Sequence, residues 1–157
     1  GKNIFVNPAQ PDVQNRVLNM IKEIAGKFDL DGLMLDYARY TDINADFSEY
    51  SKQQFIAFMK EKYNNTQAEK MNFPTDIVSS WKEQSGQLLP NTTGKYYKQW
   101  LVYRTGVIQD FVKKARQAVK SVKPDAKFGA YVGAWYTTYY QVGVNWASKD
   151  YDPFQDF

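Results

Sequence analysis

Asp31-Gly32-Leu33-Met34-Leu35-Asp36-Tyr37-Ala38-Arg39-Tyr40 sets a short apolar run between two aspartates, and its reading decides the fold. Leu33-Met34-Leu35 after a glycine reads as a buried strand of the kind found in parallel sheets, where both faces are covered. Side-chain alternation puts Gly32, Met34 and Asp36 on one face and Leu33, Leu35 and Tyr37 on the other, with Tyr37 expected in the core. A carboxylate that closes an apolar strand is costly unless something uses it, so Asp36 is the candidate catalytic residue. The structural alternative is that Asp36 caps the following loop or forms a fixed ion pair with Arg39.

Upstream, Ile4-Phe5-Val6 is a short apolar run ended by Asn7-Pro8, and Pro11-Asp12 opens a helix whose first turn suits proline. Val13, Val17, Met20, Ile21, Ile24 and Phe28 recur at helical spacing, and Gly26 with Asp29 marks the end. Downstream, Asp46-Phe47-Ser48-Glu49 and Ser51-Lys52-Gln53-Gln54 both have capping-box form and introduce a helix carrying Phe55, Ile56, Phe58, Met59 and Tyr63. Residues 64–94 are polar and broken by Pro74, Gly86 and Pro90, which predicts a loop or insertion with one helical turn around Ile77, Val78 and Trp81. A long helix is expected from Lys95 to Val122, stopped by Pro124. A strand then runs from Lys127 to Trp135, with Gly129, Tyr131, Gly133 and Trp135 on one side. This alternation of helix and strand predicts an α/β fold with a parallel sheet.

Composition narrows the chemistry. The net charge of +3 comes from basic and acidic residues mixed along the chain, which gives no nucleic-acid footprint. There is neither Cys nor His, so a Ser-His-Asp or Cys-His nucleophile system cannot be assembled and zinc would find only carboxylates. No metal site and no cofactor are expected. Acid–base work must fall to Asp, Glu, Tyr or Lys. No apolar run reaches the ~18 residues of a membrane helix. The 17% aromatic content exceeds what a core of this size needs, which points to rings in a binding cleft, with an aromatic-rich core as the competing reading.

The segment from Asp31 to Tyr40 resembles the glycosyl-hydrolase-like family 10 group of α-amylase-superfamily relatives, whose pattern is a helix followed by Asp-Gly-Ile-x-Φ-Asp-Tyr-x-Arg-Tyr. Asn7-Pro8 with the run from Pro11 to Val17 looks like the stretch before that helix. Trp100-Leu101-Val102-Tyr103-Arg104, and the continuation through Ala118-Val119-Lys120-Ser121-Val122-Lys123-Pro124, is similar to the family's tryptophan–arginine helix and its Lys-Pro exit. The resemblance implies that residues 1–157 are a segment of an eight-stranded parallel β/α barrel, about its fourth and fifth strands with their helices. A whole barrel takes about 250 residues.

The resemblance further implies a glycoside hydrolase acting on a poly- or oligosaccharide, with Asp36 at the fourth-strand end as nucleophile or stabilising carboxylate. Arg39, Tyr40, Asp42, Tyr131, Trp135 and Tyr136 are the candidate substrate-binding residues, and a carbohydrate is the expected partner. Met34 departs from relatives that place a polar residue there. From Phe128 to Gln141 there is no Asp or Glu, where α-amylase relatives carry the acid at the fifth-strand end. Asp42, Asp46 or Glu49, and more weakly Asp150 or Asp152, are the candidates in this chain, with a strand missing from it as the other source of the acid. Without one, the same barrel reads as a carbohydrate-binding or scaffold domain. The implied setting is export, to the periplasm, cell surface or medium.

Overall fold

A computed structural model describes residues 6–41, 43–84 and 86–131. Its elements are helix α1 (Pro11–Lys27), strand β1 (Gly32–Leu35), helix α2 (Glu49–Tyr63), a 3-10 turn (Thr66–Lys70), strands β2 (Val78–Gln84) and β3 (Gln87–Thr93), helix α3 (Tyr97–Val122) and strand β4 (Lys127–Ala130). Pro11 opens α1, where its missing N–H removes no helical bond, and Asp12 complements the helix dipole. Ser48, rather than either expected capping residue, caps α2 by accepting from Ser51 N–H at 3.3 Å. No helix among the described residues is long and apolar enough to cross a membrane.

β1 and β4 pair in parallel, from Gly32 opposite Lys127 to Leu35 opposite Ala130. The α/β reading with a parallel sheet therefore holds for the described residues. Helices α1 and α3 cover one face of this ladder. Ile21 packs there with Ala115, Ala118 and Val119, and Leu33, Leu35 and Phe128 close the cluster from the sheet side. The small alanines let the two helices approach closely. Met34, on the other face, is 54% exposed. The expectation that Leu33-Met34-Leu35 is buried on both sides is thus corrected, because the described helices pack on one face only.

Residues 64–94 also depart from expectation. They hold the 3-10 turn and an antiparallel β2–β3 hairpin, with Gln84 opposite Gln87 and Gly86 at the turn in a left-handed conformation (φ 75°). The helical turn expected around Val78 and Trp81 is a strand. Register shifts between Val78 and Ser80 and between Ser80 and Trp81 mark a bulge, which turns Val78 and Trp81 toward the same core despite their helix-like spacing. Side-chain bonds across the ladder, Ser80 Oγ to Thr92 Oγ1 at 2.9 Å and Asn91 Nδ2 to Ser80 Oγ at 3.1 Å, replace the apolar alternation that would have announced a strand.

Among the described residues, many of the aromatic rings pack into the core between α2, the hairpin and the first half of α3. Trp100, almost wholly buried, stacks on Phe47 at 5.2 Å between centroids and meets Phe55 edge-on at 5.0 Å. Phe73 and Tyr103 complete its surroundings at 5.7 and 5.4 Å. Such contacts stabilise beyond area burial by about 0.5–1.5 kcal/mol per pair. We predict that Trp100→Ala lowers the unfolding free energy by about 3–5 kcal/mol, read from the denaturant midpoint at unchanged slope. Gly94 passes so close to the Asp76 backbone that an added Cβ would sit 2.2 Å from its carbonyl atoms. Gly94→Ala should therefore cost about 1–3 kcal/mol or more in the same assay, since backbone must move.

Candidate functional site

The strand β1 stops at Leu35, and Tyr37 takes a left-handed conformation (φ 54°) two residues on. For a bulky side chain this stores about 1–3 kcal/mol of strain, a cost that clusters at functional sites. Asp36 Oδ1 accepts the Tyr37 N–H at 2.9 Å, so one carboxylate oxygen does cap the turn, as the structural alternative held. Its side chain is nevertheless exposed. The turn also ends the strand alternation: Tyr37 is 60% exposed, correcting its expected place in the core.

Asp36, Tyr37 and Arg39 line a crevice of about 280 Å³ whose walls are largely apolar, with Val13 and Val17 from α1 and Ile108 and Phe111 from α3. The Arg39 guanidinium lies 5.1 Å from the Tyr37 ring centroid, and its Nη1 reaches the Thr41 carbonyl at 3.5 Å. Tyr131 N–H donates to Leu35 O at 2.8 Å, so the β1–β4 register, extended by one residue, sets Tyr131 beside Asp36. Tyr131 is exposed. The structure thus brings Asp36, Arg39 and Tyr131 to the C-terminal end of the parallel ladder. Asp42, Trp135 and Tyr136 lie outside the described residues, as do Asp150 and Asp152.

Tyr40 does not offer the stacking face expected of it. It is 4% exposed, and the Arg104 guanidinium sits 4.2 Å from its ring centroid. Burial raises the Tyr40 phenol above its ordinary range, with the Arg104 charge opposing the shift. Arg104 is fully buried on α3 and donates from Nη1 to Ile43 O at 3.1 Å. A cation on an aromatic face and a carbonyl bond together tie the chain after β1 to α3. This tie was missed as a site feature, although Arg104 stands in the quoted Trp100-to-Arg104 run. A charged residue on an otherwise apolar helical stripe was the available signal.

Asp46 anchors the far end of the same loop. Its Oδ2 accepts from Ser51 Oγ at 2.6 Å, from Ser48 Oγ at 2.9 Å and from Asn7 Nδ2, while Oδ1 accepts from Ser48 N–H at 3.0 Å. Four donors therefore occupy the carboxylate that was a candidate acid. Glu49 is an exposed residue of α2 whose pKa is lowered by Gln53 and then Lys52 donating to it, and it lines neither cavity described here. Between the two anchors, Asn7, Arg39, Tyr40, Thr41, Asn44 and Asp46, with Phe47 and Ala45, line a cavity of about 370 Å³ of mixed polar and apolar character. It adjoins the Asp36 crevice, since Val6, Pro8 and Arg39 line both. Among the described residues no group of three or more Asp or Glu could hold a metal ion.

The family model described as glycosyl hydrolase-like 10 matches residues 1–151. An S-layer-related protein of Niallia circulans is 32% identical over 155 residues, which cover 96% of this chain and 9% of that protein. The chain therefore spans about a tenth of the length of this curated relative. No solved structure matches the chain. Helix, Asp-Gly strand, strand-end Asp-Tyr-x-Arg-Tyr and tryptophan–arginine helix thus come together in one matched segment, and the chain belongs to the glycosyl hydrolase-like 10 family.

Proposed function

We propose that the chain is part of a β/α barrel that hydrolyses a poly- or oligosaccharide, with Asp36 as the nucleophile or stabilising carboxylate. The observation that carries this reading is the placement of Asp36: exposed, at the C-terminal end of a strand with a parallel neighbour, beside a concave surface. Barrel enzymes hold their reacting groups at that end of the strands. There an ionised oxygen can attack or stabilise an oxocarbenium-like carbon. Tyr131, exposed on the neighbouring strand one register step beyond Ala130, can offer an aromatic face, and Arg39 can hold or orient a sugar hydroxyl.

Hydrolysis needs a second carboxyl group, about 5–5.5 Å away for a retaining route and about 6.5–9.5 Å for an inverting one. Asp46 is the only other carboxylate lining the two cavities among the described residues, and its oxygens are taken. The acid is therefore proposed to come from Asp42 or from another strand of the longer protein. The same observation favours a second reading, a barrel that binds carbohydrate without cleaving it. The S-layer-related name of the relative supports a cell-surface or exported setting for either.

In the full-length protein, Asp36→Asn should lower glycan hydrolysis by at least about a thousandfold, comparable to the loss of a group that acts only in the transition state. The thermal unfolding midpoint should stay within a few degrees, because the amide oxygen can still accept from Tyr37. Reducing-end release at the wild-type rate would remove Asp36 from the chemistry. Saturable binding with no release by the wild-type protein would select the binding barrel.

A further inference from the structure

Tyr37 is held in a strained conformation that burial does not offset. Its φ of 54° lies in the left-handed region, where a bulky residue is an outlier, and it is 60% exposed. Both ends of its turn are fixed. Before it, Leu35 O accepts from Tyr131 N–H at 2.8 Å, and after it Tyr40 is buried against Arg104. Between these points Ala38 packs inward with Tyr40 against Ile108 and Val112. Arg39 N–H donates to Tyr37 O at 2.7 Å, which closes a γ-turn around Ala38. Glycine or asparagine would adopt the Tyr37 backbone with less strain. What the tyrosine adds is a ring, and that ring lies 5.1 Å from the Arg39 guanidinium.

We propose that Tyr37 is a positioning residue for the Asp36 site: its N–H fixes one Asp36 oxygen in the turn and its ring seats the Arg39 guanidinium, so that carboxylate and cation meet one ligand from a set geometry. The proposal rests on the role given to Asp36 and adds the residue that couples Asp36 to Arg39. Tyr37 N–H donates to Asp36 Oδ1 at 2.9 Å, which leaves Oδ2 without a protein partner among the described residues. Asp36 forms no ion pair among the described residues, so direct charge attraction does not set its place relative to Arg39. Both connections run through Tyr37 instead. A cation over an aromatic face at an exposed site is worth about two- to fivefold in an equilibrium. That is enough to bias a long, flexible side chain toward the crevice that Asp36, Tyr37 and Arg39 line together.

The test uses the full-length protein, reducing-end release from gluco-, xylo- and N-acetylglucosamine hexasaccharides, and thermal unfolding. Tyr37→Gly keeps the N–H and suits a positive φ, so its unfolding midpoint should not fall. Its kcat should stay within about twofold of the wild-type value while KM rises about two- to fivefold with the loss of the ring. Tyr37→Phe, which keeps the ring, should show the wild-type KM. Adding Tyr37→Gly to Arg39→Ala should raise KM no further, because the ring acts through the guanidinium. Tyr37→Val, whose branched side chain rejects the left-handed region, should instead lower kcat by at least about tenfold through a misplaced Asp36. A wild-type KM for Tyr37→Gly, or effects of Tyr37→Gly and Arg39→Ala that multiply, overturns the coupling through the ring while leaving Asp36 in its role. A wild-type kcat for Tyr37→Val overturns the hold on the carboxylate. If the wild-type protein cleaves none of the hexasaccharides, the reading of Asp36 itself falls, and the positioning role with it.

Discussion

The cation–aromatic contact between Arg104 and Tyr40 joins the two parts of this structure. Helix α3 serves both parts. Its part beyond Arg104, with Ile108, Val112, Ala115 and Val119, packs against β1, β4 and α1. Its first half, through Trp100 and Tyr103, packs against α2 and the hairpin. Arg104 stands at the changeover, where the chain leaving β1 must pass from one core to the other. A fully buried guanidinium is tolerated there because the ring of Tyr40 and the carbonyl of Ile43 replace water around it. The loop carrying Arg39 and Asp46 takes its course from that contact.

The α2 and hairpin region therefore has a definite place. It grows from the C-terminal end of β1, the end that carries Asp36, and its core is continuous with α3. The Asp46 network then fastens the base of α2 to Asn7 at the start of the described chain. Two cavities share one wall at Arg39 as a consequence. At the strained Tyr37 turn Asp36 is exposed and lines the crevice, while one of its oxygens holds the turn together.

Much of the α/β arrangement was legible in sequence, because helical spacing in α1 and α3 and the Asp-Gly-bounded apolar run are strong local signals. The parallel pairing of β1 and β4 followed from their order. The hairpin was not legible, since its strands are held by Ser, Thr and Asn bonds and a bulge gives Val78 and Trp81 the spacing of a helix. Of the candidate site, Asp36 and Arg39 stand in the motif and are brought to one crevice. Tyr37 was assigned to the wrong surroundings, because strand alternation cannot foresee a left-handed residue just after the strand ends. Three of the four donors around Asp46 come from Ser48 and Ser51, within the capping-box stretch read from sequence, and only Asn7 comes from a distant part of the chain.

The central claim is that Asp36 meets the reacting carbon of a bound sugar. A crystal structure of the full-length protein bearing Asp36→Asn, soaked with a neutral oligosaccharide, tests it most directly. The account predicts a sugar ring over the end of β1 with its anomeric carbon about 3–3.5 Å from the residue-36 side-chain oxygen, the separation of a productive approach. A glycan seated elsewhere on the protein, with residue 36 in contact only with its own turn, would contradict it.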